Sequence, residues 1–206
     1  MIDDPSRSTV VAWYDTLPDD LAVLVEQVQA SAGRLLGDAF TARDPAQVHA
    51  TVIGLERAPA PFDLSPLVAH LRAALSTPWT IRFGGFPPRD RRLLSHGLSL
   101  HDRTFGVYGD SVVLVGWPVD GGAPRRTLAD ARLSCADLGV THRYGDDPDV
   151  YLVVGKATGV VTRHVAPVRR DLALRGVDVA LSFDDLSLVT YADPALPRAS
   201  TTWRPL

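Results

Sequence analysis

The ten residues QVHATVIGLE (residues 47–56) decide how this chain is read. Val48, Ala50, Val52, Ile53 and Leu55 form an apolar run of strand length, bounded by Pro45 before it and Pro59 after it. Inside the run stand His49 and Thr51. Residues i and i+2 of a strand face the same side. The imidazole and the hydroxyl are therefore neighbours on one face, and Ala50 and Val52 take the other. Either the pair works on a ligand, or His49 is a histidine satisfied inside a core.

Outward from that stretch, the chain alternates strands and helices. STVVAWYD (residues 8–15) is β-branched and aromatic and predicts a strand. PDDLAVLVEQVQASAGRLLG (residues 18–37) opens with acidic residues, carries apolar residues at helical spacing and closes on Gly37. A second helix follows in PFDLSPLVAHLRAAL (residues 61–75), with Asp63 or Ser65 as its cap, then a strand in WTIRFGGF (residues 79–86). The segment of residues 87–103 reads as a polar, basic loop. TFGVYGDSVVLVGWPV (residues 104–119) predicts a hairpin turning at Gly109-Asp110. TLADARLSCADLG (residues 127–139) is a helix with a threonine cap and a glycine stop, and DVYLVVGKATG (residues 149–159) is a strand. A helix near Pro167, two strands in residues 177–193 and an edge strand at the C-terminal end complete the order.

That order repeats. The first half runs strand, helix, strand, helix, strand, and the second half does the same, with the two central strands leading into Gly54 and Gly155. The repetition predicts an α/β (α+β) fold: a single bilobal domain over residues 1–206, its pseudo-symmetric lobes each a mainly antiparallel sheet backed by helices. Lobe 1 is expected over residues 8–86, a connecting loop over 87–103 and lobe 2 over 104–206, with a ligand groove between the lobes.

HATVIGLE in a duplicated α/β chain resembles the first H-x-T motif of the 2H phosphoesterase superfamily, which includes 2′-5′ RNA ligase-like proteins and cyclic phosphodiesterases. The resemblance implies two lobes, each giving one H-x-T or H-x-S strand to a central groove. It implies one histidine as general base and one as general acid on a 2′,3′-cyclic or 2′-5′ phosphodiester, with hydroxyls on the phosphate. Two imidazoles near neutrality can move both protons without a metal. In this chain His49 and Thr51 match the first motif. Aligning Gly155 with Gly54 sets Val150 and Leu152 at the second motif, and a shift by one sets Asp149 and Tyr151 there. Neither register spells H-x-T.

The missing role then falls to His96, His101, Asp149 or Tyr151, with Arg103 expected to border the groove and hold an anion through its bidentate fork. His70 reads as structural or exposed, His164 as a surface residue near a helix start, and His142 as a loop residue ahead of the second central strand. YGDDPD (residues 144–149) lacks the spacing of a calcium loop and reads as a solvated turn. No metal site and no cofactor is expected. The four tryptophans default to core packing, although Trp117 at a strand end could stack on a base.

Composition narrows the partners. With 206 residues, 46% of them hydrophobic, the chain can bury a sizeable core. A formal net charge of -3 disfavours duplex DNA, which calls for a basic surface, but leaves room for a nucleotide or RNA terminus in a locally basic cleft. Lys156 is the only lysine among 21 basic residues, a bias that fits phosphate recognition or simply genome composition. Cys135 alone makes no disulfide and reads as a small buried apolar residue. No apolar stretch suits a signal peptide or a membrane span, so a cytoplasmic location with no membrane partner is expected. Two further readings stay open: a nucleotide- or RNA-end-binding module with a degenerate groove, and an interaction protein in which His49 is merely buried.

Overall fold

The computed structural model describes residues 1–88, 94–143, 145–159, 165–193 and 196–206. Its strands are β1 (Ser8–Ala12), β2 (Phe40–Ala42), β3 (Ala50–Gly54), β4 (Trp79–Phe83), β5 (Leu94–Ser95), β6 (Leu98–Ser99), β7 (Phe105–Tyr108), β8 (Ser111–Asp120), β9 (Ala123–Pro124), β10 (Val150–Ala157), β11 (Val177–Leu181), β12 (Leu186–Tyr191) and β13 (Thr201–Pro205). The α-helices are α1 (Asp19–Leu36), α2 (Ser65–Ala74), α3 (Leu100–Arg103), α4 (Thr127–Ser134) and α5 (Val165–Ala173). None among the described residues is long and apolar enough to cross a membrane.

Local chemistry explains the longest of them. In α1 the buried residues Leu21, Leu24, Val25, Val28 and Ala32 recur on one face. Asp19 and Asp20 occupy the first turn and Arg34 the last, each matching the helix dipole. Gly37, at φ 55°, ends the helix where a side chain would be strained. Ser65 N–H donates to Asp63 Oδ1 at 3.0 Å ahead of α2, but the N-cap position is Leu64, and neither Asp63 nor Ser65 caps the helix with its side chain. Thr127 begins α4 but does not cap it; the N-cap position is Arg126.

Eleven strands join one sheet in the order β11-β4-β8-β10-β3-β1-β12-β13, with β2 beside β10 and β7 and β9 beside β8. The pairings are antiparallel. The mixed α/β, antiparallel character expected from the sequence is present. The two-lobe division is not visible as two sheets. Reading outward from the β10–β3 seam, β8 then β4 lie on one side, and β1 then β12 on the other. Strand β4 of the first half thus joins β8 of the second, and β12 of the second half joins β1 of the first. The chain halves interlock by exchanging outer strands.

The two faces of the sheet differ. Val10, Ala12, Ala50, Val52, Leu114, Leu152 and Leu186 pack with buried residues of α1, α2, α4 and α5 in one large core. The opposite face carries two small clusters. One is Phe86, Leu100, Val113, Val115 and Trp117; the other is Val11, Tyr14, Val189 and Leu196. Strand β8 is buried from Val112 to Val119 because it is covered on both sides, which is why its sequence is nearly continuous in apolar residues. Trp117 is therefore core, and its Nε1–H donates to Asp149 at 2.6 Å.

Close packing at β4–β8 gives a first expected outcome. A Cβ added at Gly116 would lie 2.6 Å from the Phe83 ring and 2.9 Å from the Arg82 carbonyl oxygen. Gly116→Ala should cost about 1–3 kcal/mol, as overpacking of a filled core does. Urea denaturation measures it, and a cost near zero would mean that β4 and β8 are not held this tightly.

Two local expectations are corrected. Residues 87–103 are not simply a loop. They contain the β5–β6 hairpin and the single turn of α3. The basic cluster Arg89, Arg91 and Arg92 in that segment, and His164, lie outside the described residues. The carboxylates of residues 144–149 do not form a solvated turn: Asp147 and Asp149 are buried and Asp146 is exposed. Cys135 is buried, and desolvation pushes its thiol up to about 11.

Candidate functional site

One cross-strand pair sets the geometry. Leu152 of β10 lies opposite Ala50 of β3, and both are buried in the main core. Directly opposed residues point to the same face. Their neighbours, Tyr151 and Val153 on β10 and His49 and Thr51 at β3, therefore face the other way. There they line a cavity of about 740 Å³ together with His96, Arg103, Arg132 and His142. Val150 and Leu152 are core, so the register that meets the cavity is the one containing Asp149 and Tyr151.

Arg132 fills the seam where β3 and β10 part. It leaves α4 and lies 3% exposed. Its Nε–H donates to Val52 O at 3.0 Å and Nη2 to Thr51 O at 2.8 Å. Nη1 donates to Asp147 O at 2.6 Å and Asp149 O at 3.4 Å. Backbone carbonyls of both central strand regions thus hold one buried cation at the cavity floor. Burial lowers its pKa to about 10, opposed by Asp147, Tyr151 and Asp149, and it stays charged at neutral pH.

His49 is half-buried against Tyr14, with ring centroids 5.6 Å apart. Its Nδ1 lies 2.7 Å from Gln47 O. A carbonyl only accepts, so Nδ1 carries the proton and Nε2 keeps its lone pair. Desolvation, reinforced by the Arg43 charge and opposed by the Gln47 bond, pulls the imidazole down to about 4. At neutral pH it is a neutral base.

Across the seam, Asp149 is fully buried and organises the other wall. Its Oδ1 accepts from Ser95 Oγ at 2.5 Å and Trp117 Nε1 at 2.6 Å. Its Oδ2 accepts from Arg103 Nε at 3.0 Å, from Arg103 Nη2, and from Tyr151 OH at 3.1 Å. Arg103 Nη2 also reaches Tyr151 OH at 2.6 Å. Burial, then the Asp149 and Asp147 charges, push the Tyr151 phenol well above its ordinary value, so it remains protonated.

His96 enters from the tip of the β5–β6 hairpin. It and Gly97 have φ of 50° and 75°, the left-handed pair of a two-residue hairpin turn. Its Nε2 lies 3.0 Å from Asp147 Oδ1 and 3.9 Å from Asp149 Oδ2. These three residues bring possible metal-ligating atoms within 4.8 Å of one another. The donor set fits a metal poorly. Both Asp149 oxygens already accept hydrogen bonds, and the cation seated on Oδ2 is Arg103.

Of the residues singled out in the sequence, five meet at the cavity: His49, Thr51, His96, Arg103 and Tyr151. Asp149 lies beneath its wall as a support. His101 is turned away, buried with Nδ1 3.3 Å from Phe86 O. Sequence reading missed Arg132 and His142. Arg132 sits in an ordinary helical pattern. His142 is brought in by tertiary contact, its Nδ1 accepting from Gly54 N–H at 2.9 Å. Desolvation, with Arg132 and Arg57 nearby, lowers it to about 3.

These two histidines give a pH-dependent outcome. An unfolded imidazole gains its proton near pH 6.5, whereas folded His49 and His142 wait until about 4 and about 3. Between those limits the unfolded chain binds more protons, so stability is full above pH 6.5 and falls as pH drops. The slope should reach about 1.4 kcal/mol per pH unit for each histidine. His142→Asn, whose amide oxygen can replace Nδ1 as acceptor, should flatten the profile. Denaturation curves from pH 7 to pH 4 read this directly, and identical slopes in the two proteins would contradict it.

The fold and the site together define a mixed α/β protein with an arginine-lined cavity opposite its main helical layer. No family model matches the chain, and neither does any curated protein. Among solved structures it is similar to TT0787 of Thermus thermophilus, at 14% identity over 97% of this chain and 94% of that one, with a TM-score of 0.49. It is also similar to ATU0111 from Agrobacterium tumefaciens str. C58, a conserved protein of unknown function, at 13% identity over 81% and 69%, with a TM-score of 0.43.

Proposed function

We propose that the cavity cleaves phosphodiesters of nucleotide or RNA-end type, 2′,3′-cyclic or 2′-5′ linked, by acid–base chemistry of the 2H kind. The observation that carries this reading is the meeting of His49 and Thr51 with Arg103, Arg132 and His96 on one cavity. His49 Nε2 takes a proton from the attacking water. The water oxygen bonds to phosphorus as the bond from phosphorus to the leaving sugar oxygen breaks. His96, steadied by Asp147, returns a proton to that oxygen, so the products are a phosphomonoester and an alcohol. Thr51 and the guanidiniums of Arg103 and Arg132 hold the non-bridging oxygens as their charge grows.

The test is turnover of 2′,3′-cyclic mononucleotides and 2′-5′-linked dinucleotides in the presence of a chelator. Cleavage supports the reading; its absence on all of them rejects it. One observation favours a second reading, a binding module without turnover: β10 sets Val153, not a histidine, beside His49. Nucleotide binding without product, lost in His49→Ala, would select that alternative.

A further inference from the structure

A bulge shapes the cavity floor beyond Thr51. Strand β1 pairs Val11 with Thr51 but Thr9 with Gly54, so β3 inserts one extra residue between those two rows. A bulge re-aims the side chains around it. Val52 and Ile53 both enter the main core, while Thr51 and Gly54, three residues apart, both line the cavity. Arg132 holds the carbonyls of Thr51 and Val52 at that bulge. Two residues of β1 separate the Thr51 row from the Gly54 row, about 7 Å.

The Gly54 end of the floor carries a carboxylate and a ring. Glu56 folds back over Gly54, where an added Cβ would lie 2.9 Å from Glu56 Cδ and 3.0 Å from its Oε1. The missing side chain of Gly54 is the notch that the carboxylate occupies. In the same row Thr9 lies opposite Val189 of β12, two residues before Tyr191. Strands β3 and β12 are both antiparallel to β1, so they run the same way past Thr9 and bring Glu56 and Tyr191 out at one end of the floor. Both residues line the cavity. Burial, then the nearby Glu56 charge, raises the Tyr191 phenol. Among the described residues none donates a hydrogen bond to the Glu56 carboxylate.

A carboxylate beside an anion site repels the anion unless the ligand also brings donors to it. Guanine alone among the common bases presents two adjacent N–H groups, at N1 and N2, on one edge, and these match the two oxygens of one carboxylate. A half-buried ring beside that carboxylate gives the base a surface to lie on.

We propose that the cavity selects guanine nucleotides. The base lies against Tyr191, its N1–H and N2–H donate to the two Glu56 oxygens, and its phosphate sits at Thr51 and Arg132, a separation that one nucleotide covers. This rests on reading that part of the floor as a phosphate site and adds the identity of the base.

The test is calorimetric titration of the wild-type chain with guanosine, inosine and adenosine 2′-monophosphates. The guanosine nucleotide should bind at least tenfold more tightly than the adenosine one, because a site built to accept two donors rejects a base that lacks them. Inosine, without the N2 amino group, should fall between them. Glu56→Gln keeps the volume but offers one acceptor and one donor, so it should erase the preference for guanosine without weakening adenosine. Tyr191→Leu should weaken all three by roughly tenfold, the loss of one stacked base. Glu56 is exposed, so its substitution should leave the melting temperature in place. Equal affinities in wild type, or guanosine binding that ignores Tyr191→Leu, overturns the proposal. So does a Glu56→Gln effect equal on guanosine and adenosine, which a purely electrostatic role would give. Wild type that cleaves 2′,3′-cyclic nucleotides of every base equally keeps the phosphodiesterase reading and removes this one. Guanosine binding governed by Glu56, with no phosphodiester cleaved, keeps this inference and removes the catalytic reading.

Discussion

His49→Ala should lower turnover of a phosphodiester substrate by about a hundred- to ten-thousandfold, the usual share of one positioned acid–base group. The neutral, Nε2-basic imidazole is fixed by the Gln47 carbonyl and the Tyr14 ring, and alanine can replace neither its lone pair nor its orientation. The fold should survive, because the main core packs on the other face of β3. The lost hydrogen bond leaves one carbonyl to find water, a cost of about 1–3 kcal/mol at most. Thr51→Val sharpens the result. It keeps a β-branched shape and removes one hydroxyl, so it should weaken substrate binding or rate while the melting temperature barely moves. Steady-state kinetics beside thermal melts separate the cases. Turnover unchanged by both substitutions would remove His49 and Thr51 from the chemistry.

Asp149→Ala should be the most destabilising single change in the cavity wall, at about 3–5 kcal/mol. Its carboxylate is fully buried and joins Ser95, Arg103, Trp117 and Tyr151. Removing it leaves the mostly buried Arg103 without its counter-charge and the indole N–H without an acceptor. Asp149→Asn keeps the volume and one acceptor, so it should fall between wild type and alanine. Urea denaturation ranks the three. A loss under about 1 kcal/mol for alanine would mean that water replaces the carboxylate and that Arg103 is not fixed by it.

Much of the element order is legible in the sequence. Apolar runs of strand length at Ala50–Gly54 and Val150–Ala157, helical spacing in Asp19–Leu36 and the Gly109-Asp110 turn are local signals, and local signals survive into the structure. The β5–β6 hairpin escaped reading because each strand is only two residues long and its turn uses His96 where asparagine or glycine is usual. The acidic run at residues 146–149 misled for another reason. Carboxylates predict solvent unless a partner is known, and Arg103 lies 46 residues from Asp149 in the chain.

The sequence by itself determined the period of the longer elements, the pairing of His49 with Thr51 on one face, and the absence of a second H-x-T. These follow from spacing alone. Tertiary structure decided the rest: that the halves exchange outer strands within one sheet, and that Tyr151 rather than Leu152 meets the cavity. It also brought Arg132 through the seam to Thr51, 81 residues away, and turned His101 aside while turning His96 in. A one-residue change of register moves every side chain of a strand to the opposite face. Only packing of the apolar face against the helices fixes that register, so the composition of the cavity wall could not be read from the chain alone.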